Sequence, residues 1–579
     1  MSRARLVFSL LAAAGIFFLL AAGLVAWQAL QVNSALRAAV ADAGTFRAAL
    51  EAGNEQEVDA ALSDLQDSAG EAEERTSGLR WSILTYTPVI GDDARGVRAA
   101  ATAVSDLSEA LAPVAQRATD LDALLPEGGR VALEAVAELQ QPVNQAAQAL
   151  EAADARLQAE DSRGYVDQFR ARYDELARLV GDAADAMDAA SVAVDLMPLA
   201  LGAEGPQRYL LVFQNNAEIR ATGGLPGALS LLNADDGRIS LGRQVAASSF
   251  GERSTPLPIT KDEEEVFTDY LGRYMLDANF TPAFPRTAEL MKLRWEEVHP
   301  ERLDGVISLD AVAVSYLLQA TGPLTVDGYD LTADNAVDVL INQIYIDRPD
   351  PQAQDAFFRQ VVSTMFDRIL QGDLGRPREL LAALVRGANE HRIYTRFFDE
   401  GAQDLIGARL IAGEPATPDG YAERIDVTLN SGTASKMSYY LDYDVRVSSS
   451  MCSNGVESAQ VTARLSSTAP LDAATSLPSY LSGTGSNGVA PGKQLVEVRL
   501  FTPSGGAVRE FSINGKDFKP DKSPLGDRAT TTAYIFLEPE QTAEVTWQVT
   551  APPVAGVREV RVTPGIEPRD YSTRLSGAC

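Results

Sequence analysis

Residues 209–232 read YLLVFQNNAEIRATGGLPGALSLL. An apolar run from Tyr209 to Phe213 and a second from Ala228 to Leu232 have the length and side-chain type of β-strands. Between them stand Asn215, Asn216, Glu218 and Arg220, followed at once by Gly223 and Gly224. This predicts that hydrogen-bonding side chains project from a strand end, where α/β sheets tend to hold ligands. The glycines there let backbone approach a ligand or turn sharply. The same residues also satisfy a purely structural role. Glu218 and Arg220 then pair internally, and the asparagines close the loop backbone. Bracing, ligand binding and catalysis all remain open for this stretch.

Downstream, RISLGRQV reads as a third strand, joined to the second by a hairpin turn at Asp235, Asp236 and Gly237. DGVISLDAVAVSYLLQATGPLTVDG predicts a strand over 305–309, a helix over 310–320, a Gly-Pro turn and a short strand over 324–326. Helices are expected over 285–297 and 333–343, and along PQAQDAFFRQVVSTMFDRIL. Interleaved strands and helices make residues 197–413 a central α/β (or α+β) domain. From about residue 414 the pattern changes to short strands and turns. RIDVTLN, MSYYLDYDVRV, QVTARLSS, QLVEVRLF, TTAYIFLE, AEVTWQVTA and VREVRVTP predict a C-terminal β-sandwich over 414–579.

Upstream, residues 28–196 are rich in Ala, Leu, Glu, Asp and Gln with apolar residues at helical spacing. Helices are expected near 28–50, 55–80, 93–119, 129–160 and 163–194. The segment holds 30 acids and 13 bases, all arginine, so 13 − 30 = −17 of the chain's −30. Such charge is that of solvated helix faces in an acidic stalk or bundle. Residues 6–27 carry no charge over 22 positions, enough to cross a bilayer as a helix. Arg3 and Arg5 precede the run and no base follows until Arg37. The positive-inside bias therefore puts residues 1–5 in the cytoplasm and 28–579 outside, with Trp27 at the outer interface. The run exceeds the 7–15 residues of a signal-peptide core, which favours a retained anchor over a cleaved leader.

The acidic balance disfavours nucleic acid. Two histidines, His299 and His391, and no G-x-S-x-G elbow speak against a serine triad. There is no C-x-x-C and no H-E-x-x-H, the usual zinc patterns. Cys452 and Cys579 are the two cysteines. Outside the cell they can form a disulfide that ties down the chain end, worth about 4–5 kcal/mol in the chain-entropy view.

YLLVFQNNAEIRATGGLPGALSLLNADDGRI, ANFTPAFPRTAEL, LDGVISLDAVAVSYLLQATGPLTVDG and the helix around AFFRQVV resemble a family of exported, membrane-anchored actinobacterial proteins. It is the domain-of-unknown-function family numbered four thousand and twelve. The resemblance runs over about 85–413, and NNAEIRATGG is its most specific motif. Ala283 stands where that family usually has an acid. The passage DGVISLDAVAVSYLLQATGPLTVDG, with Arg359-Gln360 beyond it, also resembles the LytR-CpsA-Psr wall-polymer ligases. Gly322-Pro323 replaces their Gly-Gly. That resemblance implies a polyprenyl-pyrophosphate glycopolymer carrier, held by arginines and magnesium. Arg220, Arg348 and Arg359 are then the arginines, with Gln360 beside the last, because a guanidinium fork suits pyrophosphate. Glu218, Asp347 and Asp355 are the candidate magnesium acids. The alternative is a non-catalytic scaffold or adhesion protein presenting its β-sandwich to wall polymers or protein partners.

Overall fold

The computed structural model describes residues 38–576 apart from 39–40, 47, 50–54, 88–89, 118–125, 372–376, 408, 414–423, 486–487, 520–522 and 554–556. The apolar run 6–27, most of the helix expected over 28–50, and Cys579 lie outside the described residues. Among the described residues no helix is long and apolar enough to cross a membrane. The chain divides into two compact units, one of residues 1–124 and 132–198, the other of residues 125–131 and 199–579.

The first unit is helical: α1 (Glu55–Ser77), α2 (Leu79–Leu84), α3 (Gly91–Ala110), α4 (Leu133–Gln158) and α5, which starts at Asp167. Its cores are made of small residues. Ala100, Ala103, Leu107, Leu150, Ala153 and Leu157 pack around Tyr165 and Tyr173. The expected helix 55–80 is broken at Gly78, whose extended backbone caps α2.

The second unit begins on a five-stranded mixed sheet in the order β3-β2-β1-β4-β7. The strands are β1 (Gln207–Arg220), β2 (Gly223–Asp235), β3 (Arg238–Ala246), β4 (Gly305–Asp310) and β7 (Ile393–Phe397); a hairpin of β5 (Leu324–Val326) and β6 (Tyr329–Leu331) stands apart from the sheet. β1 runs parallel to β4, from Tyr209↔Gly305 to Gln214↔Asp310, and the other neighbours are antiparallel. The β2–β3 turn is tight because Asp236 and Gly237 both take positive φ, 48° and 77°. Alternation along β1 feeds two cores. Leu210 and Val212 pack with Phe284, Met291 and Trp295 of helix α6 (Phe284–Val298) on one face. Leu211 and Phe213 pack on the other face with α7 (Ala311–Thr321), α8 (Pro351–Leu370) and α9 (Pro377–Asn389). Asp310 ends β4 and caps α7, its Oδ1 accepting from the Ala313 amide at 2.8 Å.

The remaining strands are β8 (Arg424–Ser431), β9 (Leu441–Ser453), β10 (Val456–Ser467), β11 (Gln494–Phe501), β12 (Ala507–Ile513), β13 (Lys516–Phe518), β14 (Ser523–Leu525), β15 (Arg528–Leu537), β16 (Thr542–Ala551), β17 (Val557–Val562) and β18 (Ser572–Ser576). They form two sheets, β13-β12-β16-β10-β9 and β14-β15-β11-β8-β17-β18. Pairing is antiparallel except for β17 beside β8. Val427, Leu429, Val498 and Ile535 of one sheet share a core with Val461, Leu465, Val545 and Trp547 of the other. Four of these strands, β12, β13, β14 and β18, were not among the seven runs read from the sequence. Three of them have five residues or fewer, too short to show a period. Cys452 on β9 is disulfide-bonded.

Candidate functional site

FQNNAEIRATGG does not end a strand. β1 continues through it to Arg220 and β2 resumes at Gly223, with a two-residue turn at Ala221 and Thr222. The hairpin is bulged between Asn215 and Ile219, so residues 216–218 leave the β2 ladder. Gly224 makes this possible, because a Cβ there would lie 2.2 Å from the Asn215 carbonyl carbon. The backbone that glycine lets in is the chain's own.

Beyond the bulge the hairpin tip enters the C-terminal sheets. Ile219 belongs to their core. The Ile219 amide donates to Ser438 Oγ at 3.3 Å, the Ala221 amide to Asn430 Oδ1 at 3.0 Å, and Thr563 Oγ1 donates to the Ala221 carbonyl at 3.0 Å. Glu218 is buried and accepts from Lys436 Nζ at 2.7 Å and Arg220 Nη2 at 3.1 Å. Burial pushes its pKa up, but the Lys436 ammonium and the Arg220 guanidinium prevail and hold it below the ordinary carboxylate range. Arg220, 4% exposed, also reaches Asp277 at 3.2 Å and covers the Phe280 ring. Asn216 donates to Asp310 Oδ2 at 2.9 Å, and Asn215 donates to the Tyr345 hydroxyl. Gln214 accepts from the Gly224 amide at 3.0 Å.

Against this brace lies a cavity of about 340 Å³, within the size range of small-molecule sites. Phe213, Leu225 and Ala228 of β1 and β2, Val314 of α7, and Phe358, Val361, Val362 and Met365 of α8 give it an apolar wall. Leu340 and Ile341 join them from a single π-helical turn, Val339–Gln343, where the sequence predicts ordinary helix over 333–343. Such turns widen a helix by one residue and recur at functional sites. The polar part of the wall includes Gln214, Asn215, Glu218, Asp310, Gln354, Asp355 and Lys436, with Tyr345 and Tyr480 beside it. Lys436 Nζ sits 5.9 Å and 5.8 Å from the centres of those two rings. Burial raises the Asp355 carboxyl above its ordinary range, and Arg359 one turn on draws it down.

Of the nine candidate binding residues, Asn215 and Glu218 line the cavity. Asn216 and Arg220 lie behind the wall in the bracing network. Gly223 and Gly224 open β2. Arg348 pairs with Asp327 and flanks the Tyr329 and Phe357 rings. Arg359 is half-buried and Gln360 exposed on α8. Arg220, Arg348 and Arg359 do not gather at one place on the cavity wall. Of the magnesium acids, Glu218 and Asp355 line the cavity and Asp347 does not. Glu218 is held in ion pairs, and Asp347 accepts from Tyr329 at 2.8 Å and Gln343 at 2.8 Å. Among the described residues no group of three or more His, Cys, Asp or Glu is set to hold a metal ion. His391 is buried at a positive φ of 58°. Burial, then Arg561 and Arg424, push its pKa down to about 3, so its imidazole stays neutral.

Lys436, Tyr345, Tyr480 and Gln354 are among the site residues that the sequence did not single out. Lys436 lies in NSGTASKMSYY, a stretch without periodicity, more than 200 residues from its partner Glu218.

A mixed sheet, a bulged β1–β2 hairpin and this cavity define the central domain. Residues 204–345 match the family model described as protein of unknown function (DUF4012), so the chain carries a DUF4012 domain. The matched segment lies inside the 85–413 over which the sequence resemblance runs. Among solved structures, the crystal structure of the transcriptional regulator yvhJ from Bacillus subtilis is similar at 11% identity, over 34% of this chain and 75% of that one, with a TM-score of 0.20. A likeness of that size fixes neither fold nor activity. No curated protein matches the chain.

Proposed function

We propose that this is a cell-envelope protein, anchored by residues 6–27 with its bulk outside the membrane, whose central domain holds the apolar chain of a polyprenyl-linked glycopolymer carrier. The observation that carries the reading is the cavity, which is apolar over most of its wall and polar where Asn215, Glu218, Asp355 and Lys436 meet it. An elongated apolar ligand with one polar end fits such a surface. Its phosphate would lie towards Lys436. The resemblance to the LytR-CpsA-Psr ligases favours the same ligand class. In this reading Arg220 and Arg348 serve the fold, and the protein carries or presents the lipid; transfer chemistry is left to a partner.

A cavity-filling variant tests this. A Cβ at Gly227, which lines the cavity, meets nothing nearer than the Phe213 carbonyl oxygen at 3.8 Å. A Gly227→Leu side chain therefore has space on the cavity side without backbone strain. Full-length protein in lipid nanodiscs, probed with a photoactivatable polyprenyl phosphate, should label on β2 and α8. In Gly227→Leu the labelling should fall at least ~10-fold, the scale of about 1.4 kcal/mol lost from binding. Unchanged labelling of a variant with wild-type thermal stability would refute the site.

The scaffold reading has one observation of its own. Tyr534 and Phe536, two apart on β15, are 60% and 62% exposed on the outside of the C-terminal sheets. Loss of polymer or partner binding on changing both to serine, with lipid labelling intact, would favour it.

A further inference from the structure

The cavity wall is short of positive charge. Among the described residues Lys436 is the one cation that lines it, against the carboxylates Glu218, Asp310 and Asp355. That cation is already engaged, because Glu218 accepts from its ammonium at 2.7 Å. Arg220 adds to the balance from behind the wall, at 3.1 Å from Glu218 and 3.2 Å from Asp277. Asp310 is neutralised by Arg392, which is fully buried and 2.9 Å away. These buried charges are paired, as burial in an apolar surround requires. A ligand therefore meets a wall whose cations are shared out before it arrives.

Asp355 differs. It stands on the second turn of α8 with no ion pair or hydrogen bond among the described residues, and Arg359 acts on it through space alone. Its charge is felt at the Tyr345 hydroxyl, and Lys436 Nζ lies 5.9 Å from the centre of the same ring. Asp355 and Lys436 therefore belong to one end of the cavity. Tyr480 stands there too, its ring centre 5.5 Å from that of Tyr345 and its residue 42% exposed. A carboxylate without a donor, beside a largely apolar cavity, is best satisfied by a hydroxyl on the ligand. The same carboxylate repels a head with several negative charges, because like charges away from water cost affinity steeply. A phosphomonoester carries about −1.5 to −2 at pH 7, a pyrophosphate more, and a phosphodiester a single charge.

We propose that the cavity selects a polyprenyl glycosyl phosphodiester over the corresponding pyrophosphate: one negative charge at Lys436, and a sugar hydroxyl donating to Asp355. The open face of Tyr480 gives the sugar ring an apolar platform with a polar edge. Ser435, Ser479 and Thr484 bring further hydroxyls to the wall beside Lys436 and Tyr480. Asp355 is the residue that sets the choice of head. A site built to pair with a ligand hydroxyl discriminates strongly against an analogue that lacks it. The inference rests on the lipid-carrier reading above and narrows it.

Full-length protein in nanodiscs is labelled with the photoactivatable polyprenyl phosphate, and unlabelled lipids of one chain length compete with it. The competitors are the glycosyl phosphodiester, the monophosphate and the pyrophosphate, each with and without magnesium. The diester is expected to compete at a concentration at least ~10-fold below the pyrophosphate. Asp355→Asn keeps the shape and removes the charge, and there the gap should narrow at least ~5-fold, while Asp355→Glu should keep it. Pyrophosphate that competes as well as the diester in wild type, with magnesium or without it, overturns the selection and leaves the cavity as the lipid site. A gap unchanged in an Asp355→Asn variant of wild-type thermal stability overturns the part given to Asp355. Absence of labelling, or failure of every lipid to compete, removes the lipid-carrier reading and the inference with it.

Discussion

Replacing Asp426 with alanine is expected to lower unfolding stability by about 3–5 kcal/mol, the usual cost of removing one side of a buried ionic cluster. The carboxylate is 1% exposed and lies 2.7 Å from Arg561, 2.7 Å from Arg528 and 3.3 Å from Arg424. Without it three buried guanidiniums lose the charge they share. Two further contacts make the cluster a joint between the sheets and the central domain: Arg561 donates to the Gly413 carbonyl at 2.6 Å and the Pro282 carbonyl at 2.8 Å. The pH dependence has a definite sign. Burial opposes ionisation of Asp426, but Arg424, Arg561 and Arg528 outweigh it and hold the folded-state pKa far below the unfolded value of about 3.9. A depressed carboxyl pKa gives stability that is complete above the unfolded pKa and declines as pH falls towards the folded one. Urea midpoints for wild type and Asp426→Ala should thus differ equally at pH 7 and pH 5, and converge only below about pH 4. A loss under about 1 kcal/mol at pH 7 would show that the cluster does not hold the joint.

Arg220→Ala is the second change expected to cost several kcal/mol, about 3 or more, because it strips a buried guanidinium from Glu218 and Asp277. Lys436 remains on Glu218 and moderates the loss. Burial already raises the Asp277 carboxyl, with Arg220 pulling it down and Glu218 pushing it up. Losing Arg220 raises it further, so the variant takes up a proton more readily. Its deficit should therefore be smaller at pH 5 than at pH 7. Chemical denaturation at the two pH values, with Arg220→Lys as the partial rescue, decides the matter. A variant as stable as wild type that fails to bind lipid phosphate would instead return Arg220 to the ligand.

That second prediction marks where sequence reading stopped. The three strands from Tyr209 to Val245, the Asp236-Gly237 turn and the β4–α7 unit were legible because each is local: apolar runs, an Asp-Gly turn and a strand passing straight into a helix-forming stretch. Glu218 and Arg220 were also paired in one of the alternatives read from the sequence. The fate of the NNAEIRATGG tip was not legible, because its partners Asn430, Lys436, Ser438 and Thr563 come from another part of the chain. The cavity was hidden for a related reason. Its wall draws on two strands, a π-helical turn that leaves no periodic trace and the loop residues Ala434, Ser435 and Lys436. Asn215 and Glu218 were found by residue type, whereas Lys436 had no local signal at all.

The buried hairpin tip also bears on how the chain is completed. Ile219 is made early, yet the groups that cover it are separated from it by 219 residues at Ser438, and Ala221 waits 342 residues for Thr563. Closing loops of that length before any contact rewards them is slow. An emerging or exported chain would hold an unsheathed apolar hairpin until β17 is in place. Truncation after the central sheet leaves that state permanent, so a chain cut near residue 413 should aggregate rather than behave as a smaller soluble version of itself.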